Sequence, residues 1–251
     1  GDYYINDAFG AAHRAHASVD AITRFLPSAM GFLMESEIKN LTLLLNPKKP
    51  FICILGGIKI ADKIPMIEHL AKRADKVLIG GAIASTFLNA SGMKTGISRI
   101  ECIDTAKQLL KKYKNLVLPT DVITGDLAHK VSVDKIPADE AIFDIGPATC
   151  RLFEKHLEIA KTIFWNGPMG WFENKKFTKG TRCVAKSVAR LNITKIVGGG
   201  DSAEMISHLH LTKKFTHVST GGGASLEFLS GKKLPAVIAL ENSYTKFKKS
   251  L

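Results

Sequence analysis

The sequence predicts an α/β protein, a Rossmann-like three-layer sandwich in which helices cover both faces of a mainly parallel six-stranded sheet. The first observation is a recurring unit: from residue 51 onward, short apolar runs alternate with segments of helical periodicity. The second is that the apolar runs are continuous, as is typical of parallel strands covered on both faces. The third is that each run ends in a turn that contains glycine.

The strands and helices of this unit can be placed in chain order. The predicted strands are the apolar runs at residues 51–57, 76–81, 141–147, 162–168, 195–200 and 216–223. The predicted helices occupy residues 65–74, 105–112, 147–159, 181–190 and 224–229. Parallel strands joined by right-handed crossovers create a binding crevice beyond their carboxyl ends. We therefore expect a ligand site at that edge of the sheet.

The turns at this edge are rich in glycine, and two of them contain three consecutive glycines, at residues 198–200 and 221–223. Because glycine has no Cβ, backbone amides can approach a ligand closely, and the N-terminus of a following helix adds partial positive charge. Strand-to-helix turns also favour glycine for structural reasons, so one such turn would mean little. Two runs of three glycines favour phosphate binding.

The segment before residue 51 does not follow the repeating unit. Residues 28–46 have the apolar spacing of a long helix that is closed by prolines, and this helix resembles a connector between domains. Residues 1–18 begin like a strand and continue into a loop with two histidines and an arginine. They are too few to form a domain, and we expect them to be the end of one.

The charge balance restricts the class of ligand. A formal net charge of +12 at pH 7 predicts attraction to anions, which include nucleic acid, membrane lipid and phosphorylated metabolites. No aromatic residues alternate with the lysine runs to stack on bases, and no helix-turn-helix, RRM or zinc-finger spacing is present. We therefore expect small anionic ligands rather than nucleic acid.

Cysteine spacing and apolar runs indicate the compartment. The four cysteines form no CxxC pair, which argues against a zinc knuckle or a dense disulfide framework. No apolar run reaches the roughly 18 residues of a membrane span, and the first residues lack the pattern of a signal peptide. We expect a cytoplasmic protein with reduced thiols and no membrane partner.

The chemistry-bearing motifs are not the common nucleotide fingerprints, because no GxxxxGK[ST] loop is present and no GxGxxG follows a strand. A different set occurs in this order: INDAFGAAHRAHAS (5–18), GFLMESEIKNL (31–41), LGGIKIADK (55–63), DIGPAT (144–149), WNGPMGWFE (165–173), GGGDSAE (198–204) and HVSTGGGASLEFLSGKKLP (217–235). These motifs resemble, in register, those of the phosphoglycerate kinases. The resemblance covers essentially the whole chain.

The resemblance implies a glycolytic enzyme. The family catalyses reversible phosphoryl transfer between ATP and 3-phosphoglycerate, which gives ADP and 1,3-bisphosphoglycerate. It implies that the C-terminal domain binds the nucleotide with Mg²⁺, that the N-terminal domain binds phosphoglycerate, and that hinge closure brings the two together. It also implies a monomer whose partners are these small molecules.

The resemblance also divides the chain. It assigns residues 1–27 to a remnant of the N-terminal domain, 28–48 to the interdomain helix and hinge, 49–234 to the C-terminal nucleotide-binding domain and 235–251 to a C-terminal tail. The family's DxN loop and HxGRP segment, which belong to the phosphoglycerate site, are absent from the sequence. We therefore expect an N-terminal domain that is largely missing, and a chain that binds nucleotide but is poorly active alone.

Four positions are implied to be catalytic. Lys59 would follow the transferring phosphoryl group, and Gly221, Gly222 and Gly223 would offer it the amides of a helix N-terminus. Phosphoryl transfer needs mainly positioning and positive charge, which such groups supply. Lys59 and Lys63 are spaced i, i+4, so a helix that starts there would place both ammonium groups on one face. Without the motif, two surface lysines would be the simpler interpretation.

The nucleotide contacts are implied in the same way. Asp201 would hold Mg²⁺, although an aspartate in this place is commonly a helix N-cap. Glu173 would accept hydrogen bonds from the ribose hydroxyls. Gly57 and Phe143 would border the adenine, and Pro168 would pack beside the sugar, although NGP is also an ordinary turn sequence.

The remaining nucleotide contacts are implied for Lys63, Asn166, Gly199, Gly200 and Ser202. The sequence departs from the family pattern near the base, since it reads Gly80, Gly81, Ala82 where three glycines are common and has Ile58 in place of a common alanine. We expect the extra methyl groups to weaken or tilt adenine binding.

The implied phosphoglycerate site is represented by few residues. Arg14 matches a phosphoglycerate contact, and His13 and His16 match the family's basic patch. A HxxH pair also matches part of a metal site, but no third ligand is placed near it. We expect this chain to bind phosphoglycerate weakly.

Two other functions agree with part of the sequence. A non-catalytic nucleotide-binding or basic interaction module would agree with the net charge of +12, and a steep salt dependence of nucleic-acid affinity would distinguish it. A nicotinamide oxidoreductase would agree with the fold class, but its dinucleotide fingerprint is missing.

Overall fold

The computed structural model describes residues 1–248, and these contain eleven strands and nine α-helices. The strands are β1 (Tyr4–Asn6), β2 (Ser28–Met30), β3 (Phe51–Leu55), β4 (Lys76–Ile79), β5 (Leu116–Val117), β6 (Asp121–Thr124), β7 (His129–Ser132), β8 (Ile142–Ile145), β9 (Thr162–Asn166), β10 (Thr194–Val197) and β11 (His217–Val218). The helices are α1 (Phe32–Thr42), α2 (Ile60–Ala71), α3 (Gly81–Ala90), α4 (Ile103–Lys112), α5 (Pro147–Glu158), α6 (Lys179–Arg190), α7 (Gly200–His208), α8 (Gly223–Leu229) and α9 (Pro235–Phe247). Within this part of the chain, no helix is both long and apolar enough to span a bilayer.

The main sheet has six parallel strands in the order β11-β10-β9-β3-β4-β5. Side chains of its strand β3 alternate between two hydrophobic clusters. Phe51, Cys53 and Leu55 enter the cluster formed with α1 to α4, α8 and α9. Ile52 and Ile54 enter the cluster formed with α5, α6 and α7. Helices therefore cover both faces of the sheet, which confirms the predicted three-layer α/β sandwich.

One predicted strand belongs to a different sheet. The apolar run at 141–147 does contain a strand, β8, but β8 pairs antiparallel with β6, which in turn pairs with β7. The sixth strand of the parallel sheet is instead the two-residue β5. A continuous apolar run predicts a buried strand but not its partner, so the prediction that this run joins the parallel sheet was wrong.

The predicted helix at 28–46 is shorter in the structure. Ser28–Met30 is strand β2, which pairs with β1, and the helix begins only at Phe32. The Asp7 carboxylate accepts a hydrogen bond from the Met34 N–H (2.9 Å), which satisfies one of the free amides of the first turn. A contact from the beginning of the chain thus fixes where α1 starts, and the local periodicity could not predict it.

The C-terminal helix α9 packs against the N-terminal segment. Its Ser243 hydroxyl accepts a hydrogen bond from the Ser28 N–H (3.1 Å). Its Ala236 N–H donates to the Ala12 carbonyl (3.1 Å). Most of the predicted tail at 235–251 is therefore a packed helix, and residues 249–251 lie outside the described residues.

Candidate functional site

The turns that follow β3 and β9 are joined at the carboxyl edge of the parallel sheet. The Gly56 N–H donates a hydrogen bond to the Asn166 carbonyl at 2.8 Å. The Gly57 N–H donates to the Pro168 carbonyl at 2.9 Å. The turn after β10 joins them, because its Gly198 N–H donates to a carbonyl of β9 at 2.9 Å. Three glycine turns therefore meet at one edge, as parallel strands require.

The close approach of these turns requires glycine at residue 167. Its φ of +88° lies in the left-handed region, and an added Cβ would lie 2.3 Å from the Gly56 carbonyl oxygen. An L-residue would meet both backbone strain and a backbone clash there.

Lys63 lies beneath these turns. Its side chain is 9% exposed, and its ammonium group donates to the Gly56 carbonyl. Burial lowers the pKa of Lys63 to about 8, and the nearby Asp201 and Asp62 carboxylates oppose this shift. A buried ammonium group that borders a cavity is a favourable contact for an anion.

Lys59 occupies a different environment. It is the N-cap residue of α2, with an extended backbone, and its side chain is exposed. The sequence analysis expected both ammonium groups on one face of a helix that starts here; α2 begins at Ile60, so Lys59 precedes the helix and Lys63 lies buried within it. Both lysines nevertheless line the same cavity.

The N-terminus of α7 borders that cavity as well. Gly199 is its N-cap residue, with a φ of +97°, and Gly200, Asp201 and Ser202 form the first turn. The alternative interpretation of Asp201 as an N-cap was therefore wrong, and its carboxylate is exposed toward the cavity. The buried Ser202 hydroxyl accepts a hydrogen bond from the Gly167 N–H (2.6 Å), so it fixes α7 to the turn after β9.

Asn166 is buried at the end of β9. Its side-chain NH₂ group donates to the Gly198 carbonyl at 2.5 Å. Its Oδ1 atom is buried and has no hydrogen-bond partner among residues 1–248. Buried polar atoms without partners are uncommon in folded proteins, and one that borders a cavity is typical of a ligand site.

These residues surround one cavity of about 520 Å³, which we call the polar cavity. It brings together nine of the residues predicted from the sequence: Lys59, Lys63, Asn166, Gly199, Gly200, Asp201, Ser202, Gly222 and Gly223. The polar cavity therefore combines two ammonium groups, the exposed carboxylates of Asp62 and Asp201, and the first turns of two helices.

A second cavity of about 360 Å³, which we call the apolar cavity, adjoins the polar one. The predicted residues that line it are Gly57, Phe143, Pro168, Glu173 and Asp201. Ile58, Arg99 and Asp201 line both cavities, so the two share a border. The Phe143 and Trp171 rings lie with their centroids 5.7 Å apart and form an aromatic wall.

The two departures from the family pattern also lie at the apolar cavity. Ala82, near the start of α3, contributes to its lining. The Ile58 side chain is 60% exposed and stands at the border with the polar cavity. Their predicted effect on a bound base stays a prediction.

The three glycines before and in α8 differ in their surroundings. Gly222, the N-cap residue, and Gly223, the first residue of the helix, line the polar cavity. Gly221 is buried, and an added Cβ there would lie 2.3 Å from the Phe9 ring. Gly221 therefore permits close packing against the N-terminal segment and does not line the polar cavity.

The predicted phosphoglycerate residues lie beside α8. The His13 ring faces Gly223, where an added Cβ would lie 3.1 Å from Nε2. The Arg14 Nε donates to that same ring nitrogen at 3.3 Å. Arg14 and His16 are exposed and line neither the polar nor the apolar cavity. Only His13 is thus close to the predicted catalytic glycines.

Arg99 and Trp171 are among the site residues that the sequence analysis missed. Arg99 lines both cavities, and its Nε donates to the Glu101 carboxylate at 2.7 Å. It lies in the loop between α3 and α4, which has no periodicity to predict its position. Trp171 lies within the motif at 165–173. An aromatic residue in that motif, next to a glycine turn, was the sequence feature that could have indicated its place in the site.

Known proteins of one family are similar to this chain over most of its length. A family model described as Phosphoglycerate kinase matches residues 1–232. This chain belongs to the phosphoglycerate kinase family. The chain is 51% identical to the phosphoglycerate kinase of Macrococcus caseolyticus over 253 aligned residues, which cover 96% of this chain and 64% of that protein. It is 49% identical to that of Fervidobacterium nodosum, with 95% and 64% covered.

Solved phosphoglycerate kinase structures are similar as well. The structure of the enzyme from Coxiella burnetii has a TM-score of 0.91 and 41% identity, over 96% of this chain and 66% of that chain. The structure from Pyrococcus horikoshii OT3 has a TM-score of 0.89 and 35% identity, over 98% of this chain and 65% of that chain. The chain therefore has the fold of this family and spans about 64% of the length of the curated relatives it matches.

Proposed function

We propose that this chain binds ATP or ADP with Mg²⁺ across the polar and apolar cavities, and that it serves the phosphoglycerate kinase reaction of glycolysis. In that reaction a phosphoryl group moves reversibly between ATP and 3-phosphoglycerate. The observation that carries the proposal is the shared border of the two cavities, formed by Ile58, Arg99 and Asp201. A nucleotide has the same two-part character, because a flat apolar base is joined to an anionic phosphate chain.

The apolar cavity suits the base and the sugar. The Phe143 and Trp171 rings offer apolar surface to a planar ring, and Gly57 leaves room for its close approach. Pro168 lies on the same wall. The Glu173 carboxylate is exposed at this cavity, where it would accept hydrogen bonds from ribose hydroxyls.

The polar cavity suits the phosphates. The Lys63 ammonium group is buried at its wall, and the Asn166 amide lies beside it. The N-terminus of α7 adds free backbone amides, with Gly199 and Gly200 leaving the phosphate path open. Together these groups would neutralise and orient a polyphosphate without any covalent chemistry by the protein.

The donor set also fits magnesium. Mg²⁺ is commonly held by one or two carboxylates together with phosphate oxygens and water, and it does not need a full protein cage. Asp201 offers one exposed carboxylate at the polar cavity. Within residues 1–248 no group of three or more His, Cys, Asp or Glu side chains could hold a metal ion by itself. Asp201 would therefore hold an ion that arrives with the nucleotide, and the ion would supply positive charge to the phosphate oxygens.

The phosphoryl group would move at the side of the polar cavity that faces α8. Lys59 is exposed there, and the amides of Gly222 and Gly223 border the same space. These groups would stabilise charge that develops on the moving phosphoryl group. His13 lies next to Gly223, so the acceptor carboxylate would approach from the side of the N-terminal segment. Arg14 and His16 are exposed on that segment and line neither cavity.

Isothermal titration with Mg·ADP tests the nucleotide part of the proposal. We expect saturable binding that Lys63→Ala and Asp201→Ala each weaken about tenfold or more, because Lys63 would pair with the phosphates and Asp201 would hold the accompanying Mg²⁺. Lys72→Ala is the matched control for the first variant, since Lys72 is exposed at the other end of α2. Asp104→Ala is the control for the second, since Asp104 is an exposed aspartate in the first turn of α4. Equal affinities for variants and controls would exclude the polar cavity as the phosphate site.

A coupled assay of ADP formation from ATP and 3-phosphoglycerate tests the acceptor part separately. We expect turnover far below that of the full-length relatives and weak saturation by 3-phosphoglycerate, with Mg·ADP binding intact. Turnover and saturation equal to those of a full-length relative would contradict the proposed weakness of the acceptor side.

A further inference from the structure

The Asp144 carboxylate joins the starts of helices α5 and α6, which run side by side in the same direction. The Asp144 carboxylate, just before α5, accepts hydrogen bonds from the Gly180 N–H in the first turn of α6 (2.8 Å) and from the Ile145 N–H (2.9 Å). The backbones of the two helices approach within 8 Å of each other. Their common start sets the register of the side chains between them.

A contact further along the helices fixes that register. The Ser187 hydroxyl donates to the Glu154 carboxylate at 2.6 Å, and Arg190 lies 3.4 Å from the same carboxylate. Residues four apart share a helical face. Four residues before Glu154 is Cys150, and four residues before Ser187 is Cys183. The two cysteines therefore face each other across the helix pair, where Cys183 packs against the hydrophobic cluster that contains Cys150.

The two thiols differ in exposure and in acidity. Cys150 is buried, whereas Cys183 is partly exposed. The neighbouring Cys150 thiol lowers the pKa of Cys183, and Arg190 adds to this, against burial and the Glu154 and Asp144 carboxylates. The neighbouring Cys183 thiol and burial raise the pKa of Cys150. The more acidic thiol is thus the one that solvent can reach, as in oxidation-sensitive cysteine pairs.

We propose that Cys150 and Cys183 form a peroxide-sensitive dithiol that reversibly cross-links α5 and α6. The Cys183 thiolate attacks one oxygen of hydrogen peroxide, which forms the sulfenic acid and releases hydroxide. The Cys150 sulfur then attacks the Cys183 sulfur, the disulfide bond forms, and water leaves. Two thiols and one peroxide thus give one disulfide and two waters, and a small dithiol reverses the reaction by exchange.

The chain offers its own control for this chemistry. Cys102 is exposed, lies before α4 and has no role in the pair, whereas Cys53 is buried in the parallel sheet. Burial raises the pKa of the Cys53 thiol well above its usual value, so it should not react. Cys102→Ser therefore leaves the proposed pair intact, and Cys150→Ser and Cys183→Ser each remove one member.

The test is limited peroxide oxidation of the folded chain, followed by alkylation of free thiols and peptide mass mapping. We expect oxidised wild type and Cys102→Ser to be lighter by about 2 Da before alkylation and to have two fewer thiols that can be alkylated. Peptide mapping should then give one linked pair of peptides that contains Cys150 and Cys183. Dithiothreitol should restore both thiols. In Cys150→Ser, the sulfenic acid of Cys183 should persist long enough for dimedone to trap it.

Two results would overturn the proposal. One is oxidation of Cys183 to sulfinic acid in the wild type without the linked peptide. The other is a linked peptide that contains Cys102 in place of either member, with none that joins Cys150 to Cys183. The wild-type mapping needs no substitution, so it decides the question even if a variant fails to fold.

Discussion

The Glu37 carboxylate on α1 lies 2.8 Å from the His217 ring nitrogen on β11. The same carboxylate accepts a hydrogen bond from the Thr220 N–H at 2.9 Å, and the Glu37 residue is only 1% exposed. Thr220 immediately precedes the glycines that lead into α8. A buried carboxylate thus joins α1 to the segment that ends at the polar cavity.

The first prediction concerns this contact. Glu37→Ala should lower the free energy of unfolding by about 3 kcal/mol, because His217 and the Thr220 N–H lose their buried acceptor. Urea unfolding followed by circular dichroism measures the change. Glu35→Ala, an exposed glutamate on the same helix, should change it by no more than about 0.5 kcal/mol. A similar loss in both variants would mean that the contact adds nothing beyond helix propensity.

The second prediction concerns the buried charge of Lys63. Burial lowers its pKa from 10.5 to about 8, so between these values the unfolded state holds a proton that the folded state has lost. The free energy of unfolding therefore rises with pH between about 8 and 10.5, as the buried ammonium group loses its proton. At neutral pH the buried charge lowers the free energy of unfolding by its full amount. Lys63→Met should stabilise the chain by about 1 to 3 kcal/mol near neutral pH and should abolish that rise.

Urea unfolding of wild type, Lys63→Met and Lys72→Met at about pH 7 and about pH 9.5 checks this. Lys72 is exposed on the same helix and should behave as wild type. A wild type that gains no stability relative to Lys63→Met on raising the pH would contradict the account of Lys63 as a destabilising buried charge.

The third prediction separates steric clash from backbone strain in a glycine turn. Gly167 and Gly92 have similar φ values, +88° and +95°, but an added Cβ meets the Gly56 carbonyl oxygen at residue 167 and nothing within 4 Å at residue 92. Gly92→Ala should cost about 1 to 2 kcal/mol from strain alone, and Gly167→Ala about 3 kcal/mol or more. Thermal and urea unfolding measure both. Equal losses would show that the turn after β9 can move away from the turn after β3.

The fourth prediction concerns Arg99. Arg99 borders both cavities, and its guanidinium group would pair with the phosphates, so Arg99→Ala should weaken ADP binding by about three- to tenfold and leave adenosine binding unchanged. Arg99→Lys should be intermediate, since it keeps the charge without the planar fork. Arg190→Ala is the control, because its side chain is equally exposed (68% against 70%) and is also paired with a glutamate. Equal loss of ADP and adenosine affinity would place Arg99 at the base rather than at the phosphates.

Part of this arrangement could be predicted from the sequence because it depends on local pattern. Apolar runs predicted the strands, and the glycines that end them predicted the edge where a ligand site lies. The placement of β8 beside β6 could not be predicted, since an apolar run does not name its partner. The start of α1 after Gly31 depends on Asp7, which is distant in sequence.

In the site, too, local pattern predicted some features, whereas others depend on the folded chain. The motifs predicted nine residues that now line the polar cavity, because they lie in strand-end turns that the fold brings together. The different exposures of Lys59 and Lys63 could not be predicted, since they depend on which residue begins α2. Arg99 could not be predicted either, because only the folded path of its loop brings it to the cavities.

Hydrogen–deuterium exchange with and without Mg·ADP tests most directly whether the two cavities form one nucleotide site. The account predicts slower exchange in the turns at residues 56–63, 166–173 and 199–203 together, with unchanged exchange in the lysine-rich helix at 103–112. Slower exchange at only one cavity would contradict the shared site. Slower exchange confined to the lysine-rich helix would contradict it as well, and would favour non-specific attraction of an anion to a basic surface.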